Sequence, residues 1–282
     1  MQRILTIQDV SCIGRCSLTV ALPIISAAGV ECGVLPTAVL SNHTAFPKFT
    51  FCDLTEELPK IADTFSELGF DFDAIYTGYL GSKRQLELVE DYFDRFGDAP
   101  CLKVIDPVMA DHGKLYHGFT EEFAKGMAKL CCRADVVLPN LTEAAFMLGE
   151  PYLESYTREN IERILRALTA LGPRYAALTG ISFAEDEIGV YSYDKEEDTF
   201  EYYANRRLPV SFHGTGDIFA SFFLGANMRG KSVKEALRIA VDFTLLAMEK
   251  TMADPAYRTY GVNFEEALGD YAAALGNVTE KA

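Results

Sequence analysis

Positive charge is scarce in this sequence. The 282 residues include 26 lysines and arginines against 41 aspartates and glutamates, which gives a formal net charge of −15 at pH 7. Nucleic acids and anionic membranes bind proteins through basic patches, so this balance argues against both as the main partner. A polyanionic substrate would have to be held by local features such as helix ends, a metal ion and a few lysines.

Long apolar segments are missing as well. A membrane-spanning helix needs roughly 20 consecutive apolar residues, and no segment of this sequence approaches that length. The first residues lead directly into a strand-like segment, without the pattern of a signal peptide. We therefore expect a cytoplasmic protein without a membrane partner.

Paired cysteine motifs and linkers are also absent. The seven cysteines are odd in number and form no Cys-x-x-Cys pairs, so reduced thiols are expected rather than disulfides or a zinc site. No repeat, low-complexity tract or linker rich in proline, glycine or serine interrupts the chain. A chain of this length can bury a substantial core without covalent links. We predict a single domain over residues 1–282.

Short apolar segments alternate with helical patterns along most of the chain. Such alternation predicts an α/β fold with a mainly parallel central sheet and helices on both faces. After Thr179 two aromatic segments flank an acidic turn, which predicts an antiparallel hairpin near 187–204. The expected strands lie at 4–7, 32–35, 74–76, 102–105, 136–138 and 175–179, and the expected helices at about 18–28, 55–68, 83–96, 120–131, 158–171, 216–229 and 232–250.

One segment in the last third of the chain combines glycines with an acidic residue. Gly214, Thr215, Gly216 and Asp217 lead into an apolar stripe at helical spacing. Glycines let the backbone approach a ligand closely, and the free N–H groups at a helix start favour an anion such as phosphate. A carboxylate there is repulsive unless it takes a proton from an attacking hydroxyl. These residues alone leave open whether Asp217 is such a base or an ordinary acid in a first helical turn.

Further polar clusters follow predicted strands, where open α/β sheets bind ligands. Their carboxylates could hold magnesium against the phosphates of ATP, usually through waters. Alternatively, Asn140 caps a helix and Glu143 completes the capping box. The clusters are Ser41, Asn42, His43 and Thr44; Thr77, Gly78 and Tyr79; Asp106 and Asp111; and Asn140 and Glu143.

A match to the phosphate-binding P-loop pattern is rejected. Residues 225–232 read Gly-Ala-Asn-Met-Arg-Gly-Lys-Ser. The P-loop follows a strand, whereas a predicted helix precedes this segment. We expect Gly230 to end that helix and Ser232 to cap the next one.

In their order and spacing these clusters resemble the ribokinase-like superfamily, and within it the pyridoxal/pyridoxamine kinase branch. The resemblance implies a ribokinase-like fold and ATP-dependent phosphorylation of the 5′-hydroxymethyl group of a B6 vitamer, with ATP and Mg²⁺. It also implies a homodimer and allows for a monovalent cation. The ordered set is Ser-Asn-His-Thr at 41–44, Thr-Gly-Tyr at 77–79, Asp-Pro-Val-Met at 106–109, Asp111 with Gly113 and Tyr116, Asn140 with Glu143, and Gly-Thr-Gly-Asp at 214–217.

The resemblance also implies roles for individual residues. Asp217 would be the general base, beside an anion hole formed by Gly214, Thr215 and Gly216. Residues 111–116 would close over the nucleotide and exclude water. The vitamin pocket would be lined by His43, Thr44 and Tyr79, the metal would be held at Glu143 and Asp106, and ATP would lie near Asp106, Asp111, Asn140, Thr179 and Gly180.

The sequence departs from the branch at Asp9. Many pyridoxal kinases have a serine here, after Ile-Gln at the end of the first strand. The carboxylate of Asp9 could pair with a protonated ring nitrogen or with the amine of pyridoxamine. Ser11 could instead supply the missing hydroxyl. Both residues are therefore predicted substrate contacts.

Other functions stay open. A hydroxymethylpyrimidine kinase shares the phosphate machinery, but such enzymes resemble Gly-x-Gly-Cys at the anion loop and lack Ser-Asn-His-Thr. A sugar kinase would show a Gly-Gly pair in the N-terminal third. A catalytically silent vitamin-binding protein is disfavoured, because this chain keeps both a base and a metal site.

Overall fold

The centre of the molecule is a nine-stranded sheet with helices on both faces. A computed structural model describes residues 1–276 of the chain. The strands are β1 (Arg3–Ser11), β2 (Glu31–Leu40), β3 (Phe51–Asp53), β4 (Ala74–Thr77), β5 (Leu102–Ile105), β6 (Ala110–Asp111), β7 (Lys114–Leu115), β8 (Val136–Val137), β9 (Tyr175–Ile181), β10 (Glu187–Asp194) and β11 (Thr199–Arg206).

The sheet is parallel in its middle and antiparallel at both edges. Its strand order is β11-β10-β9-β8-β5-β4-β1-β2-β3, and the six strands from β9 to β2 run parallel. At one edge β3 is antiparallel to β2, and at the other β10 and β11 follow β9 as an antiparallel hairpin. The predicted hairpin is thus confirmed, and it extends the central sheet. Strands β6 and β7 form a separate two-stranded sheet.

Helices cover both faces of the sheet. One face packs against α2 to α6 and the other against α1, α7, α8 and α9. Short 3₁₀ turns at Thr55–Glu57 and Phe264–Ala267 lead into α2 and α9. The helices are α1 (Leu18–Ala27), α2 (Leu58–Leu68), α3 (Lys83–Phe96), α4 (Glu121–Cys131), α5 (Leu141–Leu148), α6 (Arg158–Ala170), α7 (Thr215–Met228), α8 (Val233–Ala253) and α9 (Leu268–Ala274).

The two cores explain why the parallel strands read as nearly continuous apolar segments. Side chains of a strand point alternately to opposite faces. In β1, Ile4 therefore joins the core under α1 and α7, whereas Leu5 and Ile7 join the core under α2 to α6. A strand buried on both faces needs apolar residues at successive positions.

The predicted α/β architecture is confirmed, and every expected helix is present with slightly shifted ends. The structure adds elements that the sequence did not predict. Strands β3, β6 and β7 have only two or three residues, too few to show an alternating pattern. Helix α5 follows Asn140, for which a capping role was one predicted alternative. The helix is buried around most of its circumference, so it lacks the polar face that marks a surface helix.

The P-loop-like segment begins inside a helix and ends at the start of the next one, as expected. Gly225 lies inside α7, and Gly230 follows its end with φ +83°. Ser232 and Glu235 form a capping box at the start of α8. The free backbone amides of a phosphate-binding loop are therefore missing at Gly225.

The extent of the domain is only partly described. The main sheet takes strands from residue 3 to residue 206, as a single domain requires. Residues 277–282 of the predicted domain lie outside the described residues, so the boundary at 282 stays a prediction. No helix between residues 1 and 276 combines the length and apolar character that crossing a membrane requires.

Candidate active site

The predicted polar clusters meet at the carboxyl ends of the parallel strands. Ile7 in β1 is level with Thr77 in β4, Thr77 with Ile105 in β5, and Ile105 with Val137 in β8. The residues that follow these positions therefore lie side by side at the carboxyl end of the sheet. Open α/β sheets bind ligands at this end.

Gly214 lies directly before α7, against the loop that follows β1, and Thr215 and Gly216 are the first residues of the helix. Gly214 has φ +81°, a left-handed conformation that favours glycine. A Cβ at this position would lie 2.1 Å from the carbonyl oxygen of Arg15. Only glycine therefore allows this close approach. The start of the 14-residue helix α7 directs its free N–H groups and positive dipole end toward this loop.

Asp217 lies in the first turn of α7 and contacts a different part of the chain. Its Oδ2 accepts a hydrogen bond of 3.0 Å from the backbone N–H of Ser17. No side-chain cap of α7 is present, so Asp217 does not serve as a helix cap. Burial, together with the charge of Asp9, raises the pKa of Asp217 to about 7, although the Ser17 N–H opposes the shift. A carboxyl with this pKa can take up a proton near neutral pH.

Asp106 and Glu143 form a buried acidic pair beside this loop. The Asp106 side chain reaches the anion loop, because its Oδ2 would be 4.0 Å from a Cβ at Gly216. Burial raises the pKa of Asp106, and the charges of Glu143 and Asp217 raise it further. Burial also raises the pKa of Glu143, against backbone hydrogen bonds from Asn140, Met109 and Ala110.

This acidic pair fits a divalent cation that is partly hydrated. Asp106 and Glu143 are 6% and 3% exposed, and in the described part of the chain neither forms an ion pair with a lysine or arginine. Across residues 1–276 no three His, Cys, Asp or Glu side chains converge closely enough to hold a metal by themselves. Two uncompensated buried carboxylates suit Mg²⁺, which usually keeps several waters and takes further oxygens from phosphates.

The capping role of Asn140 is confirmed. Its Oδ1 accepts from the Glu143 N–H at 2.9 Å, and Glu143 Oε2 accepts from the Asn140 N–H at 2.8 Å. The Asn140 Nδ2 donates to the carbonyl oxygen of Ala110 at 2.8 Å. Both polar atoms of this side chain are therefore occupied. Asn140 ties the start of α5 to strand β6.

The segment predicted to close over the nucleotide is the β6–β7 hairpin. His112 and Gly113 turn it with φ of 49° and 75°. The Gly113 N–H donates to Thr142 Oγ1 at 3.0 Å, which holds the turn against α5. Asp111 is exposed at the edge of this hairpin.

Thr179 and Gly180 lie beside the capping residue. Thr179 forms an isolated parallel bridge with Asn140, and its N–H donates to the carbonyl oxygen of Pro139 at 3.0 Å. Gly180 is exposed and has φ +72°. The structure thus brings the predicted ATP contacts Asn140, Thr179 and Gly180 together.

The predicted ring pocket surrounds Asp9. Ser11 Oγ donates to Asp9 Oδ2 at 3.1 Å. Burial raises the pKa of Asp9, and the hydroxyls of Ser17 and Ser11 oppose that shift. Burial and the charge of Asp9 both raise the pKa of Tyr79. The charge of Asp9 therefore acts on both Tyr79 and Asp217.

His43 is buried and neutral in this pocket. Its Nδ1 accepts from the Ala45 N–H at 3.2 Å, so its Nε2 carries the proton that binds the carbonyl oxygen of Tyr260 at 3.0 Å. Burial lowers the pKa of His43. Tyr79 packs against Phe119 with ring centroids 5.5 Å apart. Thr44 is exposed at the rim.

The sequence analysis missed two residues of the site. Ser17 positions Asp217 from a backbone with φ 51°, a non-glycine conformation that no sequence pattern revealed. His213 stacks on His43 with centroids 4.6 Å apart and planes at 29°. His213 was available as a signal, because it directly precedes Gly214.

Comparison with known proteins identifies the family. The family model described as phosphomethylpyrimidine kinase matches residues 27–258, which is most of the chain. This chain belongs to that family.

Solved structures and curated relatives of the family add detail. A Bacteroides thetaiotaomicron protein, provisionally named a phosphomethylpyrimidine kinase and crystallised with pyridoxal, is 40% identical, with a TM-score of 0.91 over 96% of this chain and 95% of that one. A pyridoxal kinase from Lactobacillus plantarum is 32% identical, with a TM-score of 0.90 over 97% and 98% of the two chains. A pyridoxal kinase from Arabidopsis thaliana is 27% identical over 89% of this chain and 83% of that protein. The resemblance to the pyridoxal kinase branch of the ribokinase-like superfamily is confirmed.

Proposed function

We propose that this protein is a kinase that transfers the γ-phosphoryl group of ATP to the 5′-hydroxymethyl group of a B6 vitamer. One observation carries the proposal. Asp217, a carboxylate with a pKa of about 7, lies in the first turn of α7, and Asp9 is near enough to affect the pKa of Asp217, His43 and Tyr79. The 32% identity to a pyridoxal kinase over 97% of the chain supports it.

The residues of the site suit a direct in-line transfer without a phosphoenzyme. Asp217 would accept the proton of the substrate hydroxyl as its oxygen attacks phosphorus, a role that contributes roughly 10²–10⁴ in rate. The N–H groups of residues 214–217 would stabilise the negative charge on the transferring phosphoryl group. The Ser17 N–H holds the carboxylate of Asp217 in place.

Asp106 and Glu143 would hold Mg²⁺, mostly through waters. When bound, the ion neutralises charge on the phosphate oxygens. The dipole of α7 contributes only ~0.3–2 kcal/mol, so the larger electrostatic share falls to the acidic pair and its cation. A monovalent cation stays a prediction of the family resemblance.

The nucleotide would lie between the β6–β7 hairpin and the end of β9. Asp111, Asn140, Thr179 and Gly180 border this region. Asn140 holds strand β6 in place through Ala110. Closure of the hairpin over the phosphates would exclude water.

A hydroxymethylpyrimidine kinase is the second candidate function. It is favoured by the description of the matching family model and by a 26% identical relative, the chloroplastic thiamine biosynthetic bifunctional enzyme of Arabidopsis thaliana. Both substrates present a hydroxymethyl group on a nitrogen heterocycle. The Asp217 carboxylate at the anion loop and the Ser-Asn-His-Thr segment favour the B6 vitamers.

A substrate panel tests the proposal. ATP-dependent phosphorylation is measured with pyridoxal, pyridoxamine, pyridoxine and hydroxymethylpyrimidine in the presence of Mg²⁺. We expect turnover of at least one B6 vitamer with a higher kcat/KM than that of the pyrimidine. Turnover of the pyrimidine alone would establish the second candidate, and binding of vitamers without ATP consumption would indicate a silent binding protein.

We further propose that the enzyme works in the cytoplasm and as a homodimer. The family resemblance supports the dimer, and the seven free cysteines suit a reducing compartment such as the cytoplasm. Sedimentation of the purified protein tests the dimer, and fractionation of cells that express it tests the compartment.

A further inference from the structure

Asp9 is a buried carboxylate without a counter-charge of its own. It is 5% exposed, and its side-chain partners are the neutral hydroxyls of Ser17 and of Ser11, the latter at 3.1 Å. Within residues 1–276 no lysine or arginine forms an ion pair with it. A buried carboxylate is costly unless it is paired with a cation or with several hydrogen-bond donors.

The groups that face Asp9 do not supply that cation. His43 is held in its neutral form by its bonds to Ala45 and Tyr260. Cys16 and Tyr79 keep their protons, because burial raises the pKa of each. Asp217 is a second acid near Asp9 rather than a cation, and burial and the charge of Asp9 raise the pKa of Asp217. The pocket is therefore negative on the side where the ring of a substrate would lie.

We propose that Asp9 binds a cationic nitrogen of the substrate, so that the site takes its vitamer in a form that carries N–H⁺ on the pyridine ring or an ammonium on the adjacent side chain. The inference rests on the proposed function and names the charge state that the same site selects. A neutral hydroxyl would accept a neutral or a charged ring alike. A carboxylate favours the cation, because the charge-assisted hydrogen bond is roughly twice as strong as a neutral one.

A binding experiment separates the two nitrogens and needs no turnover. Dissociation constants are measured by calorimetry without ATP for pyridoxine, for pyridoxamine, and for a pyridoxine analogue in which C–H replaces the ring nitrogen. If the ring nitrogen contacts Asp9, the wild type binds pyridoxine about tenfold or more tightly than the carbon analogue. If the ammonium does so, pyridoxamine binds more tightly than pyridoxine by a similar factor.

Variants at position 9 decide whether the carboxylate causes the preference. Asp9→Asn keeps the shape and removes the charge, and Asp9→Ser supplies the neutral hydroxyl. Each variant is expected to bind the two compared ligands with dissociation constants that differ by no more than about twofold. Asp91→Asn, which removes an acid that pairs with Arg95 on α3, is the control and should keep the wild-type ratios.

Two results would overturn the inference. In the first, the wild type binds pyridoxine, pyridoxamine and the carbon analogue equally tightly. This comparison uses the wild type alone, so it does not depend on whether a variant folds. The other is a folded Asp9→Asn or Asp9→Ser protein that keeps the wild-type ratios. Failure of the proposed function is a separate result. It would appear as a lack of phosphorylation by the wild-type protein, whatever the measured dissociation constants are.

Discussion

Two groups of buried acids in this protein have opposite surroundings. In the hairpin at the sheet edge, Asp194 is 3% exposed and accepts hydrogen bonds from Arg174 at 2.9 and 3.2 Å. Burial by itself would raise the pKa of Asp194, but Arg174 and the N–H groups of Glu196 and Glu197 outweigh it and lower the pKa. At the carboxyl ends of the strands, by contrast, burial raises the pKa of Asp9, Asp106, Glu143 and Asp217.

The difference in charge environment distinguishes an acid that stabilises the fold from acids that are suited to binding ligands. Asp194 has its counter-ion within the chain, so its charge is compensated whenever the protein is folded. The four acids of the site lack one in the described part of the chain. Under the proposed function, their charges would be compensated by Mg²⁺, a proton or a cationic substrate. Perturbed acids of this second kind, clustered in a cleft, are typical of functional sites.

The strongest way to break this comparison is to remove one acid from each group. Asp217→Asn should lower kcat by about 10²–10⁴, because the proton acceptor is lost, while the KM for ATP changes little. The variant should be at least as stable as the wild type, because an uncompensated buried charge is removed. Steady-state kinetics and urea unfolding measure the two effects.

Asp194→Asn is the matched control, with the opposite outcome. It should keep kcat and lose about 1–3 kcal/mol in the free energy of unfolding, because a hydrogen bond to a charged partner is lost. Near-normal turnover in Asp217→Asn would disprove its assignment as the base. Loss of turnover in a folded Asp194→Asn protein would show that the two groups of acids are not functionally distinct.

A second test distinguishes two reasons for a glycine at position 214. One is its left-handed backbone, and the other is its close approach to Arg15. Gly214 and Gly230 both have left-handed backbones, with φ of 81° and 83°. A Cβ at Gly214 would meet the carbonyl oxygen of Arg15 at 2.1 Å, whereas a Cβ at Gly230 meets nothing within 4 Å. Gly214→Ala should therefore displace the loop and lower kcat/KM by up to about a hundredfold, because small misplacements of reacting groups are costly.

Gly230→Ala is the control for this pair. It should lose only about 1–2 kcal/mol in the free energy of unfolding, the cost of a left-handed non-glycine residue, with kcat/KM unchanged. If both variants lower kcat/KM equally, the contact with Arg15 does not position the loop.

The pH dependence of the wild type sharpens the comparison further. Because the pKa of Asp217 is raised from 3.8 to about 7, the folded protein binds this proton more tightly than the unfolded chain. Its contribution to stability is present below pH ~4 and is lost as the pH rises through about 7. Relative to Asp217→Asn, the wild type should lose up to about 1.4 kcal/mol per pH unit in that interval.

Activity should follow the opposite trend, because the base must be ionised. The kcat/KM of the wild type should fall as the pH decreases below about 7. Measurements of kcat/KM and of unfolding between pH 5 and pH 8 check both trends. A kcat/KM that stays constant from pH 8 down to pH 5 would contradict the raised pKa.

Much of the architecture could be predicted from the sequence, and the reasons are local. The parallel strands are apolar on both faces, and helices such as α3 and α6 have clear apolar stripes. Asn140 with Glu143 formed the predicted capping box, and Ser232 caps α8 as predicted. The short strands β3, β6 and β7 could not be predicted, because they exist only through pairing with distant segments.

The sequence predicted which residue types form the candidate site, but it did not predict their contacts or how burial and nearby charges shift their pKa values. The sequence indicated that Asp217 follows an anion-binding loop, yet it left open whether the carboxylate was a base or an ordinary helix acid. Its contact with Ser17, 200 residues away in the chain, and the nearby charge of Asp9 exist only in the folded state, and they support the proposal that Asp217 is the base. The stacking of His213 on His43 likewise depends on two loops that only the tertiary structure brings together.

Sequence by itself determined the α/β class, the glycines that permit the anion loop, and the identity of the acids and hydroxyls at the strand ends. These features depend on side-chain type and on spacing along a few turns or strands, which local chemistry fixes. The tertiary structure decided which acids are paired and which are not, because burial and the distance between charges depend on segments far apart in the chain. In the folded protein Asp194 is paired with an arginine, whereas in the described residues Asp9 and Asp217 are not.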